Sequence, residues 1–309
     1  MRVLVTGNKG FVAQWLIRDL VSRGDELTGG DAEVDVTDKP ALTEVFTGAA
    51  PDAICHLAAQ SSVGASWTDQ TTTYQVNTLG ALNVIEAALA CARPPRVLLI
   101  SSAEVYGRVS PGDLPIREDH PFAPISPYAA SKAAAELIGL QAWLGKRLEV
   151  VRARPFNHTG PRQRPDFVVP ALARQVAAAA ASGSRVLETG NLDARRDLTD
   201  VRDVVRAYRD LLERGAPGEV YNVCRGEAVS IEEVARRLLM VAGLDLEIVV
   251  DPARVRPADI PELRGDASRL HAATGWVPEI PLDQTLADVI AYWERRTAEA
   301  SVAPGAPGD

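Results

Sequence analysis

The beginning of the chain combines a strand, a glycine turn and a helix in immediate succession. Residues 3–6 form an apolar run, GNKGFVA follows at 7–13, and an amphipathic helical pattern continues to about residue 22. In such a unit the first glycine permits a tight turn, the second lets a pyrophosphate approach the backbone, and Ala13 lets the helix pack on the strand. The unit predicts a dinucleotide site, although a GxxGxxA turn without a ligand is the alternative until other motifs support it.

Strand and helix patterns alternate along the first half of the chain. Apolar runs at 51–59, 97–100 and 148–155 have the length of buried strands, and an alanine- and leucine-rich helical pattern covers 71–92. Alternation of this kind gives a parallel sheet, because each helix crosses one face of the sheet to reach the next strand. The chain is therefore expected to form an α/β fold with a Rossmann-like, doubly wound parallel sheet.

The chain is long enough for a second domain. With 309 residues, of which 46% are hydrophobic, it can bury two modest cores. The expected dinucleotide-binding domain comprises 1–157 and about 193–226, and a smaller α/β substrate domain on the C-terminal side comprises about 158–192 and 227–297. The last segment, 298–309, is rich in Ala, Gly and Pro and is expected to be disordered.

A serine, a tyrosine and a lysine provide the chemistry expected beside the dinucleotide. Ser102 follows the predicted strand 97–100, and Tyr128 and Lys132 lie at i and i+4 on one face of a predicted helix. A tyrosine with its ordinary pKa of about 10 is a poor acid or base at neutral pH, and a lysine one turn away would lower that pKa. Ser102 would hydrogen-bond a substrate carbonyl or alcohol. The three residues predict an oxidoreductase in which Tyr128 transfers the proton.

The expected cofactor is NAD(P)H, and the sequence leaves its exact form open. Asp31 lies about where a carboxylate would hold an adenosine ribose, which would favour NAD, whereas Lys9 would meet the 2′-phosphate of NADP. Asp35 and Val36 would border the adenine, although a solvated loop aspartate is an equal alternative. The expected cofactor contacts are Gly7, Lys9, Gly10, Phe11, Val12, Asp31, Asp35, Val36, Leu57, Ala58, Ala59, Tyr128, Lys132 and Pro155.

Arginines are concentrated on three predicted loops of an acidic chain. They are Arg162 in 156–165, the pair Arg195 and Arg196, and Arg256. The formal net charge of -8 argues against a nucleic-acid or anionic membrane partner. Because a guanidinium matches the geometry of phosphate oxygens, these local clusters predict a dianionic ligand, and surface solubility is the alternative explanation.

Other residue classes give expectations of absence. The three cysteines are scattered and without a CxxC pair, as in a reduced cytoplasmic protein, and the four histidines include no ligand-like pair, so no metal site is expected. His56 lies in an apolar run and is interpreted as a core histidine. No charged-then-apolar leader and no membrane-length apolar run are visible, so we expect a soluble, cytoplasmic protein.

With these motifs in view, the chain resembles the extended short-chain dehydrogenase/reductase family over residues 1–297. The motifs are GNKGFVA, HLAAQSSV, SSAEVYG, YAASK and RPFNHTGPRQ. The segments DFVVPALARQVA, GNLDARRDLTDVRDVVRAY and RPADIPELRGDASRLHAATGWVPEI resemble most the branch that acts on GDP-linked 6-deoxyhexoses. The resemblance implies catalytic roles for Ser102, Tyr128 and Lys132, and nucleotide-sugar contacts by Asn157 and Arg256. The full expected set of substrate contacts is Gln60, Ser61, Ser62, Val63, Ala103, Asn157, Arg162, Val168, Arg195, Arg196 and Arg256.

The two residues that follow Ser102, Ala103 and Glu104, bear on the choice between a dehydratase and a reductase. A 4,6-dehydratase needs an additional base and a group that assists loss of the carbon 6 hydroxyl, and here the candidates are Glu104 and the inert Ala103. A reductase needs neither. The expected activity is therefore NAD(P)H-dependent reduction of the 4-keto group of a nucleoside-diphosphate (NDP) 4-keto-6-deoxyhexose, with a GDP-linked sugar favoured. A 4,6-dehydratase, a 4-epimerase and a non-catalytic dinucleotide-sensing module are the alternatives.

The resemblance also implies a homodimer. The family pairs two long helices, here 71–92 and 127–143, into an intermolecular four-helix bundle. Alanine-rich faces that include Ala129, Ala133 and Ala134 would permit close approach of the helices. The alternative is that these faces pack only within the subunit.

Overall fold

The structure is a computed structural model that describes residues 1–29, 34–254 and 260–302. Its strands are β1 (Arg2–Thr6), β2 (Glu26–Leu27), β3 (Ala53–His56), β4 (Arg96–Ile100), β5 (Val150–Pro155), β6 (Asn157–Thr159), β7 (Val186–Thr189), β8 (Arg195–Asp200), β9 (Val220–Val223), β10 (Ala228–Ser230), β11 (Glu247–Val250) and β12 (Glu262–Leu263). Its α-helices are α1 (Phe11–Ser22), α2 (Lys39–Ala49), α3 (Val63–Thr68), α4 (Gln70–Tyr74), α5 (Gly80–Ala90), α6 (Pro127–Lys146), α7 (Val168–Ser182), α8 (Val201–Arg214), α9 (Ile231–Ala242), α10 (Ser268–Thr274) and α11 (Leu282–Val302).

A parallel sheet lies at the centre of the larger domain. Its strands in the described part of the chain are ordered β2-β1-β3-β4-β5-β9, and each neighbouring pair is parallel. The chain starts at β1, moves outward to β2, and then returns to β3 on the other side of β1. This reversal is the topological switch point at which open α/β sheets bind ligands. The expected Rossmann-like, doubly wound sheet is confirmed.

Both faces of the central sheet are buried, as its apolar strands predict. Leu16 of α1 and Tyr208 of α8 belong to the core on one face, together with Val3 of β1. The next residue, Leu4, faces the opposite core, where it joins Phe46 of α2. Because successive side chains of a strand point to opposite faces, a continuous apolar run supplies both cores at once.

A second group of elements forms the smaller domain. β8 lies between β10 and β12, β6 also pairs with β8, and β7 pairs with β11. Helices α7, α9 and α11 pack together beside these strands, around a core that contains Leu172, Leu238 and Val289. The expected α/β character of this domain therefore agrees with the structure.

The pairing of strands differs from the predicted domain boundaries in two places. β8 belongs to the smaller sheet, although the larger domain was expected to resume near residue 193. Conversely, Leu270 and Trp276 pack in the core beneath the central sheet, and the Trp276 indole N–H donates to the Asp203 carbonyl at 2.9 Å. The expectation that 227–297 lies entirely in the smaller domain is wrong for this segment, because its apolar residues are buried against α8 and β9.

The predicted helix over 71–92 is interrupted. A π-helical turn, Gln75–Leu79, separates α4 from α5, and α5 ends at Ala90. Asn77 in that turn is buried. Its amide donates to the Ser131 hydroxyl at 2.9 Å and to the Gln60 carbonyl at 3.0 Å. A wider turn that places a polar residue on specific partners is not visible in the 3.6-residue periodicity of the sequence.

The C-terminal helix is longer than predicted. Disorder was expected from residue 298, but α11 continues to Val302. The added residues contain neither glycine nor proline before Pro304, so nothing in their sequence opposes the helix. Within the described residues, none of the helices combines the length and the apolar character needed to cross a bilayer.

A buried ionic network joins α6 to the central sheet. The Glu136 carboxylate is fully buried and accepts hydrogen bonds from Arg154 at 2.7 and 2.9 Å and from Arg152 at 3.2 Å. Arg154 also donates to the Tyr106 hydroxyl at 2.8 Å, and that hydroxyl donates to the Asn222 side-chain oxygen at 2.7 Å. The network thereby connects α6, β5, the turn after β4 and β9.

Gly107, at the end of the SSAEVYG motif, offers a test of this turn. Its φ is +63°, and a Cβ there would overlap the carbonyl oxygen of Ala123. We expect Gly107→Ala to lower the free energy of unfolding by about 3 kcal/mol, because it combines backbone strain with a clash that no rotamer relieves. Gly112→Ala is the matched control, since a Cβ at that residue would meet nothing within 4 Å. Urea denaturation of both variants measures the difference, and equal stabilities would contradict it.

Candidate active site

A cavity of about 1050 Å³ lies between the carboxyl ends of the central strands and the smaller domain. One end is formed by the glycine turn after β1, the middle by the residues after β3 and β4, and the far end by α7 and β7. Expected cofactor contacts that line it are Gly7, Lys9, Gly10, Phe11, Val12, Leu57, Ala59, Tyr128, Lys132 and Pro155. Expected substrate contacts that line it are Gln60, Ser61, Ser62, Val63, Ala103, Asn157, Arg162, Val168 and Arg196.

The glycine turn has the geometry of a phosphate cradle. Gly7 has φ +68°, and a Cβ there would lie 2.8 Å from the backbone of Ala58, so the ends of β1 and β3 approach this closely only with glycine. Gly10 precedes α1 and provides no side-chain cap. The first N–H groups of α1 therefore face the cavity end without a capping side chain, which suits a dinucleotide pyrophosphate.

Ser102, Tyr128 and Lys132 meet in the cavity wall as the sequence predicts. α6 begins where it does because the Ser126 hydroxyl accepts from the Ala129 N–H at 3.1 Å and Pro127 occupies the first turn. The residue after this proline is Tyr128, and Lys132 follows one turn later, with Ser102 and Lys132 both buried. A proton donor, a hydroxyl and a cation are thus held on rigid elements.

Burial moves the pKa of the two titratable groups in opposite directions. Burial raises the pKa of Tyr128 to about 12, although a hydrogen bond with Ser102 lowers it, and the charge of Glu104 raises it further. Burial lowers the pKa of Lys132 to about 8, against the attraction of the Glu136 carboxylate. The net pKa of Tyr128 is therefore above its ordinary value and not below it as expected, because desolvation of the phenolate outweighs the groups that stabilise it.

Glu104 and Ala103 also line the cavity. The Glu104 backbone N–H donates to the Ser102 hydroxyl oxygen at 3.2 Å, so the short 3₁₀ turn after β4 fixes the position of this serine. Ala103 is almost fully buried and has no polar group. The Glu104 carboxylate could therefore serve as a base near Tyr128, but Ala103 has no group that could donate a proton.

Two amide side chains of the cavity have oxygen atoms with unused acceptor capacity. The side-chain oxygens of Gln60 and Asn157 are buried, and in the part of the chain that the structure describes they have no hydrogen-bond partner. Asn8, in the glycine turn, has the same property. Unpaired buried acceptors cost about 1–3 kcal/mol each. Their position indicates that ligand N–H or O–H groups complete the site.

The arginines separate into two groups. Arg162 and Arg196 line the cavity together with Arg164, and Arg162, at φ +78°, donates to the Gln14 side-chain oxygen at 3.0 Å. Arg195 and Arg196 both lie on strand β8 rather than on a loop, and Arg195 does not line the cavity. It donates to the Ala228 carbonyl at 2.6 Å. Consecutive strand residues face opposite sides, so the prediction that both members of the Arg195–Arg196 pair contact the ligand is wrong.

Several expected cofactor contacts lie elsewhere or beyond the described ranges. Asp35 and Val36 do not line the main cavity: the Asp35 carboxylate accepts from the backbone and hydroxyl of Thr37, both at 2.8 Å, which lowers its pKa. Val36 is buried. The backbone of Ala58 faces Gly7. Asp31 and Arg256 lie outside the residues that the structure describes.

His56 is a core histidine, as interpreted from the sequence. Its Nδ1 lies 2.8 Å from the Thr6 hydroxyl, and burial, assisted by the charge of Lys132, lowers its pKa to about 3. Over the described ranges, no group of three or more His, Cys, Asp and Glu side chains is arranged to hold a metal ion.

The far end of the cavity contains residues that were not predicted as contacts. Glu188 and Arg254 line it and belong to none of the quoted motifs, whereas Gln175, which also lines it, lies in the segment DFVVPALARQVA but was not assigned as a contact. The available signal was the pattern of β7, in which Glu188 is exposed between the buried Leu187 and Thr189. That alternation indicates a carboxylate on the open face of the strand.

The chain matches one protein-family model and is similar to individual enzymes. A sequence profile described as GDP-mannose 4,6 dehydratase matches residues 31–289. The chain is 40% identical over 301 residues to the GDP-6-deoxy-D-mannose reductase of Pseudomonas aeruginosa, covering 96% of this chain and 99% of that protein. It is 30% identical over 288 residues to the GDP-mannose 4,6-dehydratase of Vibrio cholerae, covering 83% of this chain and 76% of that protein.

The fold is also similar to a solved structure. RMD from Pseudomonas aeruginosa, complexed with NADPH, aligns with a TM-score of 0.90 at 40% identity, covering 96% of this chain and 99% of that chain. Ser102, Tyr128 and Lys132 lie within the matched residues 31–289, as do Arg162 and Arg196 of the cavity, and the glycine cradle precedes that region. The chain is therefore an enzyme of the GDP-mannose 4,6-dehydratase family, within the extended short-chain dehydrogenases/reductases.

Proposed function

We propose that the protein reduces the 4-keto group of an NDP-4-keto-6-deoxyhexose, GDP-linked, with NADPH as the reductant. The observation that carries this proposal is the position of Tyr128 beside Ser102 and Lys132, in the wall of a cavity whose lining also includes Arg162 and Arg196. The Pseudomonas aeruginosa relative is a GDP-6-deoxy-D-mannose reductase. A reductase needs a proton donor at its active site and an anion-binding surface for the diphosphate, and both are present.

Each catalytic side chain has one task in this reaction. The bound NADPH supplies the hydride for the carbonyl carbon. The Ser102 hydroxyl donates a hydrogen bond to the ketone oxygen, and Tyr128 transfers its phenolic proton to that oxygen as negative charge develops there. Tyr128 enters the reaction protonated because its pKa is raised to about 12. The Lys132 cation then stabilises the phenolate that remains.

The choice of NADPH rests on the phosphate-binding end of the cavity. Lys9 lines this end, beside the glycine turn, and a lysine there suits the additional 2′-phosphate. The Pseudomonas aeruginosa structure was solved with NADPH. The pyrophosphate would lie at the amino terminus of α1, and Lys132 would hold the nicotinamide ribose.

A 4,6-dehydratase is the second candidate, because Glu104 lines the cavity and its charge acts on Tyr128. A dehydratase must also protonate the departing carbon 6 hydroxyl, and Ala103 offers no proton. The reductase is preferred on this chemical ground.

Tyr128→Phe tests the proposed mechanism. We expect kcat for reduction of GDP-4-keto-6-deoxymannose to fall about 10³-fold, with little change in NADPH affinity, because the proton donor is lost while the cavity shape is retained. Loss of NADPH absorbance and the product sugar are both measured under anaerobic conditions. Tyr292→Phe on α11, outside the cavity lining, is the control. Unchanged turnover by Tyr128→Phe would exclude the mechanism, and water loss from GDP-mannose without net NADPH oxidation would instead indicate the dehydratase.

The pH dependence of the reduction should report the charge of Lys132. Its pKa, lowered to about 8 by burial, leaves it protonated at neutral pH and neutral in more alkaline solution. We expect kcat/KM to fall as pH rises through about 8, because the cation that stabilises the Tyr128 phenolate is lost. The guanidinium of Lys132→Arg stays charged at alkaline pH. This variant should therefore lose the alkaline decline in kcat/KM, even if its kcat/KM is lower than that of the unmodified protein. A decline of identical midpoint in both proteins would assign it to another group.

Homodimerisation through α4, α5 and α6 is part of the proposal. Leu79, Leu137 and Leu144 are 52%, 53% and 62% exposed although they are large and apolar. Ala129 and Ala133, which were expected to form the helix contact, are instead buried inside the subunit. The leucines, not these alanines, present an apolar surface that a second copy would cover.

Leu137→Glu tests the dimer. The added charge would have to be desolvated in the interface, so we expect sedimentation at micromolar concentration to change from dimer to monomer. Met240→Glu, at an exposed residue of α9 that is 74% accessible, is the control and should leave the assembly unchanged. A monomer in the unmodified protein would contradict the proposal.

A cytoplasmic location also belongs to the proposal. Cys55, Cys91 and Cys224 are free thiols and all three are buried. Unpaired cysteines of this kind are typical of proteins in reducing compartments.

A further inference from the structure

We propose that Glu188 selects guanine at the far end of the cavity, by accepting hydrogen bonds from the N1–H and the 2-amino group of the base. This inference rests on the proposed function, in which the substrate is a nucleoside-diphosphate sugar. It adds the residue that would distinguish one nucleobase from another.

The backbone of Glu188 is held firmly in place. β7 pairs with β11 along one edge, and Gln175 of α7 satisfies the other edge. The Gln175 amide donates to the Glu188 carbonyl at 2.9 Å, and its side-chain oxygen accepts from the Glu188 N–H at 3.0 Å. Leu187 and Thr189 point into the protein, so the Glu188 side chain lies on the open face that lines the cavity.

The Glu188 carboxylate is also oriented by a charged partner. Arg254 donates to one of its oxygens at 2.6 Å and to the Asp251 carboxylate at 3.1 Å. A carboxylate has about four acceptor positions, so one guanidinium contact leaves capacity for two further donors. The Glu188 side chain is 52% exposed and is therefore accessible to a ligand from the cavity.

The Glu188 carboxylate keeps free acceptor positions even though Arg254 offsets its charge. Arg162, Arg164 and Arg196 also line the cavity and suit two phosphates. The free acceptor positions of Glu188 would repel a carbonyl or phosphate oxygen of a ligand, whereas N–H donors of a base would satisfy them. The acidic residue therefore indicates a base with hydrogen-bond donors at its edge.

Guanine meets this requirement better than the other common bases. Its edge presents the N1–H and the 2-amino group side by side, and two adjacent donors match the two oxygens of a carboxylate. Uracil and thymine present a single imide N–H between two carbonyl oxygens, which a carboxylate would repel. Adenine presents an acceptor nitrogen beside its amino group. Val168 and Leu172 of α7 supply an apolar wall against which a purine can pack.

Inosine diphosphate (IDP) tests the hydrogen bond between Glu188 and the 2-amino group, because its base, hypoxanthine, is guanine without that group. We expect the unmodified protein, loaded with NADPH, to bind GDP at least about tenfold more tightly than IDP in isothermal titration calorimetry. In Glu188→Gln the carboxamide places a donor opposite a donor of guanine, so the ratio of the two dissociation constants should fall to about one. Glu247→Gln, on the neighbouring strand β11 and outside the cavity lining, is the matched control and should keep the ratio.

The outcomes separate this inference from the proposed function. GDP and IDP affinities that are equal in the unmodified protein, or a GDP preference that persists in both Glu188→Gln and Glu188→Ala, would overturn the role of Glu188 while leaving the reductase intact. Failure of the unmodified protein to bind GDP, IDP or UDP would overturn the substrate class itself. Melting temperatures of the variants confirm that each is folded, and the exposed position of Glu188 favours this.

Discussion

The carboxylate of Glu136 is the interaction on which the geometry of the active site depends. It lies on α6 one turn after Lys132 and is fully buried between the guanidinium groups of Arg152 and Arg154 on β5. Removing one partner of such a buried pair costs about 3–5 kcal/mol, because the remaining charge has no solvent. The pair therefore fixes α6 against the sheet. Arg154 extends the same network to Tyr106, in the turn that positions Ser102. Helix and turn are held by one set of charges, so Ser102, Tyr128 and Lys132 keep their mutual positions.

The same burial that fixes these residues also sets their charge. Desolvation disfavours both the Tyr128 phenolate and the Lys132 cation, so the pKa of Tyr128 is raised to about 12 and that of Lys132 is lowered to about 8. The Glu136 carboxylate, one helical turn after Lys132, opposes this desolvation. Its charge raises the pKa of Lys132 and so favours the cation at neutral pH. The site is thus prepared to give a proton rather than to take one, in agreement with a reductase.

The glycine turn and the catalytic helix could be predicted from sequence because each depends on residues that are close together in the chain. The glycine turn needs Gly7, and the pair Tyr128 and Lys132 needs only helical spacing, so both could be predicted from sequence. Features that depend on distant partners could not be predicted. Arg195 and Arg196 were assigned together, because β8 forms only through pairing with β10 and β12, and a strand sends them to opposite faces. The π-helical turn around Asn77 requires Ser131 of a different helix. Glu188 becomes a candidate only when α7 and β7 enclose a cavity.

The junction between β5 and β6 limits how the two domains can move. Only Phe156 separates these strands, and its N–H donates to the Val223 carbonyl of β9 at 2.9 Å. β5 is part of the central sheet, whereas β6 pairs with β8 of the smaller sheet. One extended segment is therefore hydrogen-bonded into both domains, and a hinge at this point would break one of the two sheets. Segment 150–159 therefore anchors the two sheets to each other, and any widening of the cleft between them has to be taken up by other parts of the chain.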